Sequence, residues 1–335
     1  MILVTGAGGT VGTEVVKGLQ AAGAKFRAAY YTQSKAGEAQ RNGIDSVALD
    51  FAKPESLARA LQGPDGRGVD RVFLISGNVP HQTDLELNVV REAKRAGVVQ
   101  LVKSSVWGAE SESFTFARIH RPVEKEIAAS GIAYTILRPN GYMQNLSTFY
   151  GETIRGQGAF FLPAATASIS HIDVRDLARV AVAVLTETSH AGQAYDLSGP
   201  EALTYDDIAQ KLSDATGREI SYVDISEADF RKAVISAGTP AAAADAMLEL
   251  FKYYISDAAS RVSRNVEILT GRSPITFDQY ARDYRSFFLP SAKRPSESLG
   301  LLSRGRAFFW PEGSRLKISR GGNLRRDFPT RRDRE

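Results

Sequence analysis

Thr5-Gly6-Ala7-Gly8-Gly9-Thr10-Val11-Gly12 follows directly on the β-type run Ile2–Thr5 and opens a helical pattern over Val11–Ala22. Gly6 permits a tight turn, Gly9 lets the backbone approach a pyrophosphate, and Gly12 lets the helix pack close to the strand. The helix N-terminus then offers N–H donors and the positive end of its dipole to an anion. Glycines at this spacing, with a strand before and a helix after, point to a dinucleotide-binding β-α-β unit. A merely tight strand–helix turn would not need all three.

The rhythm set by this motif continues through the first 140 residues. Short apolar or β-branched runs recur at Lys25–Tyr30, Ser46–Leu49, Asp70–Ile75, Val99–Lys103 and Ala133–Leu137. Helical patterns lie between them at Lys35–Asn42, Pro54–Leu61, Leu85–Ala96 and Pro122–Ala129. Gly23, Gly43, Gly97 and Gly131 stand where helix C-terminal glycines belong. Such alternation predicts an α/β fold, a Rossmann-type doubly wound parallel sheet covered by helices on both faces. After Asn140 the pattern changes: helical near Tyr142–Ile154, strand-like at Ser168–Ile172 and Gln193–Leu197, helical at Val174–Thr186, Tyr205–Thr216 and over most of 226–288. The expected division is a nucleotide-binding domain of 1–140 plus 168–199, and a smaller, mostly helical substrate domain of 141–167 plus 200–289. A basic, disordered tail over 290–335 completes it.

Composition removes several function classes. The chain has no cysteine, which excludes disulfides, thiol nucleophiles and thiolate metal sites. His81, His120, His171 and His190 form no metal-ligand spacing, so no metal is expected. No window approaches the roughly 18 apolar residues of a membrane span. The motif at Thr5 leaves no room ahead of it for a signal peptide, so a cytoplasmic protein is expected. The net charge of +4 is a property of the tail: residues 291–335 hold 12 basic and 5 acidic groups, leaving 30 basic and 33 acidic in the rest. That balance argues against a nucleic-acid partner.

The end of the second strand reads Tyr30-Tyr31-Thr32-Gln33-Ser34-Lys35, with no carboxylate to hold a ribose 2′-hydroxyl. NADP(H) is therefore favoured over NAD(H), with Tyr31 and Lys35 at the adenosine end, although Lys35 equally suits a solvated helix start. Asp50 and Phe51 end the third strand and Ile75, Ser76 and Gly77 the fourth, where ligands of parallel sheets collect. Asp50 also suits a plain turn before Pro54. His120 and Glu124 are four apart on one helix face, so they can pair, the carboxylate supporting a protonated histidine. An ordinary surface pair reads the same way.

TGAGGTVG (5–12), ALDFAKPESLARAL (48–61), VFLISG (72–77), His120-x-x-x-Glu124-Lys125, YTILRPNGYMQN (134–145), HIDVRDLARVAVAVL (171–185) and LTGRSPITFDQY (269–280) together resemble the NmrA-like, atypical branch of the short-chain dehydrogenases. The resemblance covers about residues 1–288. It implies a nicotinamide cofactor without flavin, with Arg138, Pro139, Asn140, Gly141 and Tyr142 closing over its nicotinamide end. It also implies flat, electron-poor aromatic substrates such as quinones and dyes. Ser105 falls near the superfamily's catalytic serine, whereas the usual Tyr-x-x-x-Lys is replaced by His120-x-x-x-Glu124. Tyr142, Phe149, Trp107 and Phe160 are expected to wall the substrate cleft, with Ser104, Ser105, His171 and Asp173 as second-tier candidates for the chemistry. A reductase, monomeric or homodimeric, with His120, Glu124 and Tyr142 catalytic is the leading expectation. A non-enzymatic NADP-binding sensor acting through a protein partner is the alternative.

Overall fold

Strand residues alternate faces with a period of two, and in this chain both faces of the central strands are apolar. The computed structural model describes residues 1–290, apart from 64, 65 and 67; the tail expectations fall outside them. Strands β1 (Ile2–Val4), β2 (Phe26–Tyr30), β3 (Ser46–Ala48), β4 (Arg71–Leu74), β5 (Gln100–Ser104) and β6 (Ala133–Pro139) all lie where the apolar runs predict them. They are followed by β7 (Ala159–Leu162), β8 (Ser168–Ile169), β9 (Gln193–Leu197), β10 (Leu203–Thr204) and β11 (Ser221–Asp224). The main sheet has the order β3-β2-β1-β4-β5-β6-β9 with every pairing parallel. The order reverses between β1 and β4, and the crevice outside their C-terminal ends is the place where such sheets bind ligands.

Helices α1 (Thr10–Ala21), α2 (Gln33–Arg41), α3 (Pro54–Leu61), α4 (Gln82–Arg95), α5 (Thr115–Ala129) and α7 (Val174–Thr186) cross over or flank the sheet, whereas α6 (Gly151–Gln157) packs beside β7 through Ile154. Ile2, Val4, Phe73, Val102 and Leu137 pack on one face against Val15 and Leu19 of α1 and Leu177 and Val184 of α7. Leu3, Val72, Leu74, Leu101 and Ile136 pack on the other face against Leu57, Val89, Val90 and Ile127 of α3, α4 and α5. Adjacent strand residues thus feed opposite cores, the pattern expected of a sheet buried on both sides.

Helices α8 (Tyr205–Thr216), α9 (Glu227–Ser236), α10 (Ala241–Ile255), α11 (Asn265–Thr270), α12 (Phe277–Asp283) and α13 (Arg285–Phe288) complete the described chain. Phe160, Tyr205, Leu212, Phe230, Phe251, Phe277 and Phe288 form a separate apolar cluster there. Within it β7 pairs in parallel with β11, two strands that Gly-Gln-Gly and Arg-Glu flanks disguise in the sequence. Among the described residues, no helix is long and apolar enough to cross a membrane.

One helix departs from the sequence reading. Pro122 reads as a first-turn proline, yet it lies inside α5, which begins seven residues earlier. The start at Thr115 is secured from elsewhere in the fold: Glu249 of α10 accepts from the Thr115 backbone N–H and hydroxyl, each at 2.7 Å. A cap supplied by another helix leaves no local signal. It also binds α5 to α10, and so the sheet to the later helices. Glu249→Ala should cost about 1 kcal/mol, the usual worth of a lost N-cap. Denaturant unfolding would show a lower midpoint with an unchanged slope; an unchanged midpoint would remove this cap from the account.

Candidate active site

The glycine loop sits in the crevice between β1 and β4. Gly6 has φ +59° and a side chain there would meet the Ile75 carbonyl at 3.0 Å. At Gly12 a Cβ would stand 2.1 Å from the Gly6 carbonyl oxygen, an impossible contact. The loop therefore folds onto the first turn of α1 only because position 12 has no side chain. Gly9 at the N-cap provides no side-chain cap, so the first-turn N–H groups are left for an anion. Thr5 is fully buried, its hydroxyl 2.8 Å from the Ile75 carbonyl and accepting from the Ile75 N–H at 2.9 Å. It ties β1 to β4 rather than facing a ligand. Ala7 and Val11 are buried beneath the loop, while Gly8, Gly9 and Thr10 are exposed.

Around the rim the expected residues divide. A Cβ on Gly8 would lie 3.3 Å from the Tyr30 ring and 3.8 Å from the Lys35 stem, so both side chains border the loop. Tyr31 is 81% exposed. Thr32 caps α2 by accepting from the Lys35 N–H. Asp50 makes a local turn to Ala52 at 3.0 Å and pairs with Lys53 at 3.4 Å, the plain-turn alternative. Phe51 packs partly buried against the α3–α4 side of the core. Ser76 donates to Glu86 at 2.7 Å, with Ile75 before it and the exposed Gly77 after.

The expected His120–Glu124 pair does not form. Glu124 accepts from Ser105 at 2.6 Å, from Arg138 at 3.0 and 2.7 Å, and from Arg121 at 2.9 Å. Burial alone would raise this carboxyl, but Arg138, Ser105 and Arg121 together hold it below the usual range. Glu124 thus ties α5 to the ends of β5 and β6. Arg138, which also meets Glu110 at 2.8 Å, is turned into this network. Asn140 likewise points inward, donating to Ser170 at 2.9 Å and to the Ala259 carbonyl at 2.8 Å. The Pro139 carbonyl accepts from the Trp107 N–H at 2.9 Å. Only Gly141 and Tyr142 of this loop reach the cleft.

His120 instead faces Lys103, its Nδ1 3.2 Å from the ammonium. Burial, and then the Lys103 charge, push His120 well below the ordinary imidazole range, so it is neutral and not the protonated donor expected. Lys103 and Glu86 are both fully buried and lie 3.1 Å apart. Removing one partner of such a pair costs about 3–5 kcal/mol. The pair was missed in the sequence, where its one signal is a lysine inside the apolar strand Gln-Leu-Val-Lys-Ser.

Beside this network a cavity of about 80 Å³ is lined by Tyr142, Phe149, Tyr150, His171, Tyr205 and Tyr254, with Gly141, Asn145, Leu146, Met247, Leu250 and Phe251. Leu146–Tyr150 form a π-helical turn, which widens the backbone where Leu146, Phe149 and Tyr150 meet the cavity. Tyr142 and Phe149 are walls as expected. Trp107 and Phe160 are not: the indole donates to the Ala258 carbonyl at 2.9 Å under Arg261, and Phe160 stands edge-on behind Tyr205 at 6.1 Å. Burial lowers His171 to about 4 and raises Tyr142 to about 12, the latter eased by a hydrogen bond with Ser104. Burial also raises Tyr150, Tyr205 and Tyr254. The cavity lining is therefore uncharged at neutral pH. Asp173 belongs elsewhere, capping α7 through the Arg175 N–H at 2.8 Å. Among the described residues, no group of three or more His, Asp or Glu side chains is placed to hold a metal.

The loop and the uncapped α1 terminus fit the pyrophosphate of a dinucleotide, because the positions where a side chain would break the turn, 6 and 12, are both glycine. Gly12→Ala should weaken nicotinamide dinucleotide binding by about tenfold or more, about 1.4 kcal/mol, because backbone must move. Gly8→Ala meets only the Tyr30 ring, which can give, and should lose less. Fluorescence titration of both variants checks the ranking; equal affinities would contradict the role of Gly12.

The NmrA-like family sequence profile matches residues 1–280. An NAD(P)H azoreductase of Xenophilus azovorans is 37% identical over 289 residues, 86% of this chain and 99% of that protein. The NADPH-dependent quinone oxidoreductase of Escherichia coli complexed with NADPH superposes with a TM-score of 0.76 at 29% identity, covering 84% of this chain and 99% of that one. The Citrobacter sp. triphenylmethane reductase complexed with NADP(H) superposes with 0.74 at 27% identity over the same shares. With the loop, the sheet order and these likenesses in agreement, the chain belongs to the NmrA-like family.

Proposed function

We propose that the chain is an NAD(P)H-dependent oxidoreductase, cytoplasmic, that delivers hydride directly to an electron-poor aromatic acceptor: a quinone, an azo compound or a dye. The observation that carries this reading is that one sheet bears both a glycine loop shaped for a pyrophosphate, after β1, and an uncharged aromatic cavity, reached from the end of β5 through Tyr142. Its hydroxyl meets Ser104 at the end of β5 while the residue lines the cavity. The names of the azoreductase, quinone oxidoreductase and triphenylmethane reductase relatives support the substrate class.

A nicotinamide supplies the hydride when bound. The chain's own residues supply the rest. Gly6–Gly12 and the α1 terminus hold the pyrophosphate, and Lys35 stands on the adenosine side, where no carboxylate selects against a 2′-phosphate. For this reason NADPH is preferred over NADH. Tyr150, Tyr205, Phe251 and Tyr254 exclude water and stack a flat acceptor. Tyr142 remains protonated throughout the neutral range and donates a hydrogen bond to the acceptor as charge arrives. Reduction of a quinone consumes one hydride and one proton, the proton reaching the product oxygen from solvent through such donors. The arrangement works by positioning rather than by strong acid catalysis. A sensor acting through a protein partner would need the loop but not the open aromatic cavity.

Titration of the purified protein with NADPH and NADH, followed by addition of a quinone and an azo dye, tests the reading. Saturable binding, tighter for NADPH, with oxidation on adding either acceptor is expected. Binding without turnover would overturn the enzymatic reading, and no binding to either nucleotide would overturn the glycine-loop argument.

A further inference from the structure

The buried ammonium of Lys103 has three hydrogens and three neighbours to receive them. Its Nζ lies 3.2 Å from Glu86 Oε1 and 3.2 Å from His120 Nδ1, and it donates to the Ser104 carbonyl. A lysine ammonium donates only, so Nδ1 of His120 must accept. The ring proton of a neutral imidazole then resides on Nε2. No hydrogen bond to Nε2 is made by the described residues, although His120 is more than nine-tenths buried.

The same lysine links both strand ends beside the crevice. Glu86, which holds it, also accepts from Ser76 at the end of β4 at 2.7 Å. Ser104, whose carbonyl it engages, meets the Tyr142 hydroxyl at the cavity. The charged groups facing His120 are Lys103 from β5 and, through it, Glu86 from α4. Glu124, one turn further along α5, is committed to Arg138 and Ser105.

We propose that Lys103, held by Glu86, is a positioning residue that fixes His120 as its Nε2–H tautomer and so keeps a neutral hydrogen-bond donor on α5 beside the ends of β4 and β5. The tautomer stands independently of the reductase reading; its use toward an acceptor rests on that reading. In this role His120 stabilises negative charge arriving on the acceptor without surrendering its proton, as a neutral donor does at a carbonyl. A carboxylate partner would do the opposite, supporting a cationic ring.

Nitrogen-15 NMR of histidine-labelled full-length protein reads the tautomer directly, and the chain has only four histidines to assign. His120→Asn identifies the signal by its loss. The Nε2–H pattern is expected for His120 and should persist as the pH is lowered through the ordinary imidazole range. An Nδ1–H pattern, or titration at the ordinary imidazole value, would overturn the proposal from the unmodified protein alone. Lys103→Met with Glu86→Gln removes both charges, so no ion is left buried without its partner. If this double variant folds, His120 should show mixed tautomers and titrate. Its kcat toward a quinone should fall about tenfold, with the KM for NADPH little changed. An unaltered tautomer in the folded double variant would assign the tautomer to something other than Lys103. If the tautomer shifts and the KM for NADPH rises instead of kcat falling, the pair serves the nucleotide pocket and the acceptor role is overturned. Absence of turnover in the unmodified protein, with the tautomer as expected, would count against the reductase reading and not against the Lys103 geometry.

Discussion

The missing side chain at position 12 governs the architecture around the crevice. Any Cβ there would enter the Gly6 carbonyl, so the loop could not lie on the first turn of α1. With that contact available, only residues 5–9 separate β1 from α1, the first turn of α1 carries no side-chain cap, and the loop lies where the sheet reverses its order, between β1 and β4. Thr5 then locks the neighbouring strand end by gripping Ile75. The same few atoms define the tight turn, the uncapped helix terminus and the start of the strand–helix alternation that carries the fold.

Desolvation governs the other half of the site. The cavity gathers phenols and an imidazole under conditions that keep every one of them neutral, while the strong charges are sequestered behind the strand ends. Lys103–Glu86 and Arg138–Glu124 are matched pairs, each anchored by further hydrogen bonds. Buried pairs of this kind return little stability against hydrophobic replacements. Their value is geometric: one fixes β4 against β5, the other β5 against β6 and α5. A flat acceptor would thus meet a neutral surface whose hydrogen-bond donors are held in place from behind.

The alternation of apolar runs and helical patterns made the parallel sheet legible, because strands buried on both faces leave continuous apolar stretches between glycine-punctuated helices. The glycine loop was legible because backbone geometry demands a residue type. Side-chain partnerships were not. His120 and Glu124 share a helix face, but the sequence could not show that Arg138 and Lys103 would claim them separately. Trp107 and Phe160 are aromatic and near the right segments, yet their rings serve the core. The start of α5 was hidden for a related reason, since Glu249, 134 positions away in the chain, supplies its cap. Local pattern reports what the backbone needs; tertiary contacts decide which polar groups meet.

Direct transfer from nicotinamide to acceptor is the central claim, and the choice of acceptor decides whether it can be followed. Hydride that ends on a quinone oxygen exchanges with water, whereas hydride added to the central carbon of a triarylmethane dye stays in a carbon–hydrogen bond. NADPH carrying deuterium on one face of C4 should therefore be incubated with the full-length protein and such a dye. The account predicts that label from one face alone appears at the central carbon of the reduced dye. Label released to water, or transferred equally from both faces, would contradict it.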